Sequence, residues 1–336
     1  MAVGGVVELM HAKRIQGWAI DTDSSSSPVL DLCIEGHPIK RVKALRRRAG
    51  FERLVNNGTV GFRFRLHPSL LAYVRAPDAV TMRLNGQPLP VLKNSLRLLP
   101  EEKRRDPREI SSLLQSGHII TKQGELRLSI RIDKEWQARH FGFYNEAREK
   151  FKSLTGYDLF LSFGALLGYV RDRELILTDD DLDTSYISRH TDPVAVKREF
   201  IEIHQALRDS GERCRIAPKR RMFMKWQRSS GSALIDIFPG FAWRNNFFMA
   251  PGVGIENGAD VATRGVRSVE WYGYNFLVPE AAEDILAAAY GPGWKVYDPL
   301  FQWIIPAYAY RGIRRIRLTR EEVAEANRYR APGWGV

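Results

Sequence analysis

The chain has 336 residues, enough for two modest domains, and its 44% hydrophobic and 27% charged content is that of a folded globular protein, not a disordered one. The formal net charge of +12 is uneven: it is +8 over residues 1–100, zero over 101–300 and +4 over 301–336. Two distant cysteines, Cys33 and Cys214, exclude a disulfide scaffold and a cysteine zinc site, and reduced thiols of this kind suit the cytoplasm. No secretory leader is evident at the N-terminus, and charge interrupts every apolar run short of a membrane span.

Residues 1–99 read as an all-β accessory domain, a small sandwich. Val29–Ile34 alternates around Asp31 and Cys33, and Phe62, Phe64 and Leu66 alternate with arginines. Asn85-Gly86 marks a hairpin between Thr81–Leu84 and Leu89–Leu92. The run Ser24–Ser27 reads as a loop. The proline-bounded, charged stretch 100–109 opens a linker expected to run from residue 100 to 124, with residues 125–336 a catalytic domain of α+β class.

In that domain Leu126, Leu128, Ile130 and Ile132 alternate as in a half-buried strand. Trp136, Phe143, Tyr144, Ala147, Phe151 and Leu154 recur at helical spacing up to Thr155-Gly156. Tyr157–Ser162 reads as a buried strand, with Gly164 opening a short apolar helix. A further strand is expected near Leu182–Ile187, and Asp192-Pro193 caps a helix that Gly211 stops. Ala233–Phe238 is an apolar strand, and the last helix expected ends at Tyr290-Gly291.

The chemistry concentrates in Gly164-Ala165-Leu166-Leu167-Gly168, Arg171, Arg173 and the run Asp179-Asp180-Asp181-Leu182-Asp183. A glycine that follows a strand and opens a helix lets backbone N–H groups face a phosphate. Asp179, Asp181 and Asp183 are two apart, which in a strand turns their carboxylates to one side. Like charges held that close call for a cation, and hard oxygen ligands favour Mg²⁺ or Mn²⁺. Asp236 sits amid Leu234, Ile235, Ile237 and Phe238, where a carboxylate is costly to bury without a partner. A calcium EF-hand is excluded, since Thr184 and His190 stand where it requires Gly and Glu. His118, His140, His190 and His204 show no metal-ligand spacing.

The glycine motif, the arginines and the Asp-x-Asp-x-Asp cluster resemble the LicD family, which includes the fukutin-related proteins. Ile235-Asp236-Ile237-Phe238-Pro239, Phe276–Pro279 and Tyr290-Gly291-Pro-Gly-Trp294 are similar to later parts of its pattern, so the likeness runs over about residues 140–300. The resemblance implies a nucleotidyltransferase (polymerase-β-like) fold and a metal-dependent phosphotransferase that moves phosphocholine or a polyol phosphate from a CDP-linked donor onto a cell-surface glycan. It implies Asp181, Asp183 and Asp236 as catalytic residues, and these three with Asp179 as ligands of Mg²⁺ or Mn²⁺. Gly164, Ala165, Arg171 and Arg173 would hold the donor phosphates. Gly17–Asp21 and Gly61–Phe64 are similar to β-sandwich modules beside bacterial glycosyltransferases, which points to bacterial polysaccharide synthesis, in lipopolysaccharide or capsule. The same carboxylates also fit a nucleotidyltransferase adding a nucleoside monophosphate to a small molecule, an RNA end or a protein, and a non-enzymatic glycan-binding protein is the third reading.

Basic ends favour anionic partners. No RNA-binding module is recognised, so nucleic acid is not the expected one. Lys219-Arg220-Arg221 reads as a basic turn facing solvent or an anionic acceptor. In Phe301–Leu318 aromatic residues precede arginines, either to lie on an acidic membrane at the inner face or to pack on the core.

Overall fold

The computed structural model describes residues 3–22, 27–51 and 59–329, so most of the Ser24–Ser27 loop lies outside the described residues. The protein is mixed α and β, and it divides into two compact units, Met1–Ile132 and Asp133–Val336.

The first unit holds strands β1 (Val3–His11), β2 (Arg14–Asp21), β3 (Val29–Ile34), β4 (His37–Lys43), β5 (Arg46–Arg47), β6 (Thr59–Arg65), β7 (Val80–Leu84), β8 (Gln87–Pro88) and β9 (Asn94–Ser95). They form two sheets, ordered β5-β6-β2-β1-β9 and β4-β3-β7-β8. Alternation drives both. Val80, Met82 and Leu84 of β7 are buried, and they join Met10 and Ile15 from the first sheet in one apolar core. Asn85 and Gly86 take the left-handed backbone (φ 51° and 80°) that a tight hairpin requires.

The all-β reading of residues 1–99 misses a 3-10 turn at Pro77–Ala79 and a helical turn, α1 (Pro68–Leu71). Pro68 supplies a preset φ at its first position, and His67 caps it by accepting from the Ser69 N–H. Residues 100–124 carry α2 (Glu109–Gln115) and β10 (His118–Ile120), which pairs with β11 (Leu126–Leu128). Ile110 and Ile120 are buried in the same core as the two sheets, so this charged stretch is packed structure. Composition signalled exposure here, but the few apolar residues in it decide the fold.

The second unit opens with α3 (Lys134–Thr155). Asp133 caps it, accepting from the Trp136 N–H at 2.8 Å, and Gly156 ends it in the left-handed region. Its stripe of Trp136, Phe141, Tyr144, Ala147 and Phe151 is buried. Next come β12 (Phe160–Leu161), α4 (Phe163–Leu167), β13 (Asp183–Ile187) and α5 (Pro193–Asp209), the last capped by Asp192. Strands β14 (Arg213–Ile216), β15 (Met224–Gln227) and β16 (Leu234–Trp243) complete a sheet ordered β12-β13-β16-β15-β14. The far half of β16 also pairs with β17 (Asn246–Met249), which pairs with β18 (Val253–Ile255). β13 and β16 run parallel at its centre, and β15 runs antiparallel to β16.

A hairpin of β19 (Val266–Trp271) and β20 (Tyr274–Pro279) and helix α6 (Ala282–Tyr290) follow. Two more helices, α7 (Ala307–Ile313) and α8 (Arg320–Arg328), lie beyond the helix expected to be last. The Thr319/Glu322 capping box that starts α8 was readable in the sequence. Of the aromatic C-terminal segment, Trp303 packs on Phe163 and Tyr308 on Phe248, while Phe301 and Ile304 are exposed. No described helix is long and apolar enough to cross a membrane.

Candidate functional site

The parallel register of β13 and β16 sets Asp183 directly beside Asp236. Both strands begin their pairing there: the Asp236 N–H donates to the Leu182 carbonyl at 3.2 Å, and the Thr184 hydroxyl donates to the Asp236 carbonyl at 2.7 Å. Asp181, from the loop just before β13, completes the group. Oxygens of Asp181, Asp183 and Asp236 lie within 4.8 Å of one another.

Asp179 reaches this region by a different route from the one its spacing suggests. β13 starts only at Asp183, and residues 177–182 are turn and loop. Asp179 is buried and groups with Asp180 and Asp181, so Asp181 is the carboxylate shared by both clusters.

The glycine motif has a steric explanation. A Cβ on Gly164 would stand 2.0 Å from Asp179 Oδ2, and one on Gly168 would stand 2.5 Å from the Glu174 carbonyl. At Gly168 the obstacle is backbone, so glycine is required there; at Gly164 a side chain would displace the Asp179 carboxylate. Phe163 enters that helix with φ at 46°, a strained conformation for a side chain of its size. Gly164 and Ala165 are themselves buried. The turn after α4, Gly168–Asp172, is π-helical, a widening often found where a helix serves a site.

The two arginines are placed differently. Arg171 is mostly buried, forms a two-pronged pair with Asp172 at 2.8 and 2.7 Å, and lies over the Tyr297 ring. Arg173 is exposed and stacks on Tyr169, its centre 4.7 Å from the ring. Tyr290, at the end of α6, feels the charges of both Arg171 and the acids. Its hydroxyl is pushed well above the ordinary value by burial and by the charges of Asp179, Asp183 and Asp181, with Arg171 opposing.

Lys225 was not anticipated. Strand pairing sets it opposite Asp236, and its Nζ donates to both carboxylate oxygens, at 2.7 and 2.8 Å. Burial still dominates at Asp236: its pKa rises to about 6, with Lys225 pulling it down and Asp181 pushing it up. The local pattern carries a faint signal for Lys225, a lone cation between the buried Met224 and Trp226 of an apolar strand.

Three carboxylates around one ammonium leave an excess of negative charge in a partly buried place. All the donors are hard oxygens, and a divalent cation such as Mg²⁺ or Mn²⁺ suits both that charge and that chemistry. The residues fit the group.

None of the curated proteins matches the chain significantly. A solved STING-associated CdnE c-di-GMP synthase from Capnocytophaga granulosa is similar over 47% of this chain, at 13% identity and a TM-score of 0.27. The chain spans 50% of that protein's length, and a likeness so loose bears on neither fold nor activity. The family model of the LicD/FKTN/FKRP nucleotidyltransferase domain matches residues 156–263. That stretch, about a third of the chain, contains Gly164, Gly168, the acidic loop, Lys225 and Asp236, so the similarity to the LicD family covers the candidate site.

Proposed function

We propose that the protein is a metal-dependent phosphotransferase that moves phosphocholine or a polyol phosphate from a CDP-linked donor onto a cell-surface glycan. The observation that carries this reading is the convergence of Asp181, Asp183 and Asp236 inside the segment matched by the LicD family. We take the second unit as nucleotidyltransferase-like and the first as a β-sandwich accessory module. The reading implies a cytoplasmic enzyme working near the inner membrane face, where lipid-linked glycans are built.

Asp181, Asp183 and Asp236 would hold Mg²⁺ or Mn²⁺, with Asp179 steadying the loop that presents Asp181. Bound there, the cation would supply Lewis-acid stabilisation of charge on the phosphoryl oxygens. Asp236, more basic than an ordinary carboxylate, is suited to take the proton of the attacking glycan hydroxyl. Lys225 fixes its orientation through both oxygens. Arg171 would neutralise the donor diphosphate, with Arg173 and the buried turn at Gly164-Ala165 shaping its pocket.

The test is a mass-spectrometric screen of nucleotide-activated donors against surface glycan. A glycan mass gain of phosphocholine or a polyol phosphate supports the reading. A gain of a nucleoside monophosphate identifies a nucleotidyltransferase instead.

A further inference from the structure

Five arginines converge on one concavity. Arg221, Arg314, Arg315, Arg317 and Arg320 line a concavity of about 590 Å³, together with Glu321. Two distant stretches build it, the turn before β15 and the run from α7 into α8. They are clamped by a hydrogen bond from the Leu318 N–H to the Arg221 carbonyl, 3.0 Å long.

Several features separate this cluster from an ordinary solvated basic face. Among the described residues no carboxylate comes within ion-pair distance of any of the five guanidinium groups, although Glu321 feels the charge of Arg320 and Arg221. Arg317 Nε is shielded from solvent and lacks a hydrogen-bond partner. A buried N–H of that kind calls for an acceptor, whether water or a ligand. Arg315 is held in place over the Trp243 ring, 4.3 Å from its centre. Arg221 keeps a left-handed backbone (φ 60°), unusual for its residue type. The start of α8 is closed by its own capping box, so the positive field comes from side chains.

We propose that this concavity binds a compact ligand bearing two or more phosphate charges, such as a pyrophosphate ester or a multiply phosphorylated sugar. Guanidinium groups pair with phosphate oxygens in a two-pronged geometry, and five of them in one small hollow suit several clustered oxyanions better than a single carboxylate. Arg221 stands four residues before Lys225, so at about 3.3 Å per residue the site lies no more than about 13 Å along the chain from the Asp236 strand pair. The inference does not rest on the phosphotransferase reading.

The test is calorimetric titration of inorganic pyrophosphate into the full chain in EDTA, which keeps divalent cations out of the acidic group. Binding is expected, weakening as salt rises. Arg314→Gln/Arg320→Gln, both exposed positions that leave the core alone, should weaken it about tenfold or more. Asp183→Asn should leave it unchanged. A soluble bisphosphorylated sugar should compete with pyrophosphate, whereas vesicles containing phosphatidic acid distinguish a headgroup as the source of the phosphate. No pyrophosphate binding, binding untouched by the arginine pair, or attraction only to vesicles or to RNA would overturn the assignment.

Discussion

Lys225 and Asp236 face each other across β15 and β16, and the lysine Nζ bonds both carboxylate oxygens at 2.7 and 2.8 Å. The ammonium therefore shares its carboxylate with the site proposed for a divalent cation. Lys225→Met should tighten Mn²⁺ binding by about fivefold or more, since removing a neighbouring unit charge is worth roughly 1 kcal/mol even in a water-like dielectric. It should also slow turnover, because Asp236 loses the bond that orients it. Calorimetry with Mn²⁺ checks the first part; unchanged or weaker affinity contradicts it.

Asp183 and Asp236 should separate by stability. Asp181→Asn, Asp183→Asn and Asp236→Asn should each reduce turnover by about 100-fold or more, as when charge stabilisation is removed from a reacting centre. In EDTA, Asp183→Asn should melt at or above the wild-type temperature, because clustered repulsion is eased. Asp236→Asn should lose about 1–3 kcal/mol, because a half-buried lysine is left without its anionic partner. Equal melting temperatures for these two variants would contradict the role given to Lys225.

Gly164→Ala tests the glycine motif. The added methyl would meet Asp179 Oδ2 at 2.0 Å, so the buried Asp179 carboxylate would have to shift. A loss of about 1–3 kcal/mol is expected, with reduced activity. Combining it with Asp179→Ala, which vacates that space, should recover part of the stability. If the double variant simply adds the two losses, the close packing is not what the glycine serves.

His204 should tie stability to pH. Burial, with the charge of Arg208, lowers its pKa to about 4 from 6.5. The unfolded chain therefore binds the proton more tightly. The histidine's contribution is complete above pH 6.5 and is lost as the pH falls toward 4. The difference amounts to about 3 kcal/mol at most. His204→Leu should flatten this part of the stability profile relative to the wild type, as measured by urea unfolding at pH 7 and pH 5. Parallel losses in both proteins would assign the acid sensitivity to other groups.

Much of the site was legible because its residues announce themselves locally. A charged residue inside Leu-Ile-Asp-Ile-Phe needs a partner, and Asp181 with Asp183 supplies the nearest acidic run. The bounds of β3 match those read from its alternation, and the end of α3 and the start of α5 fall where Gly156 and Asp192 put them. What escaped depends on pairing between distant strands. Nothing near Lys225 says that β15 lies against β16, and Tyr290 joins the acids only because α6 folds back. The spacing of Asp179 misled for a related reason: period-two geometry holds only inside a strand, and β13 begins at Asp183. The arginine hollow was visible only as two separate basic runs.

The most direct test of the central claim follows the nucleotide product. The full chain would be incubated with Mg²⁺, a CDP-linked phosphocholine or polyol donor and an acceptor glycan, and nucleotides resolved by chromatography. Phosphotransfer attacks the phosphorus bearing the choline or polyol and expels CMP. The account predicts CMP that requires both Mg²⁺ and glycan and disappears in Asp183→Asn. Pyrophosphate from a nucleoside triphosphate, with no CMP from any CDP-linked donor, would contradict it.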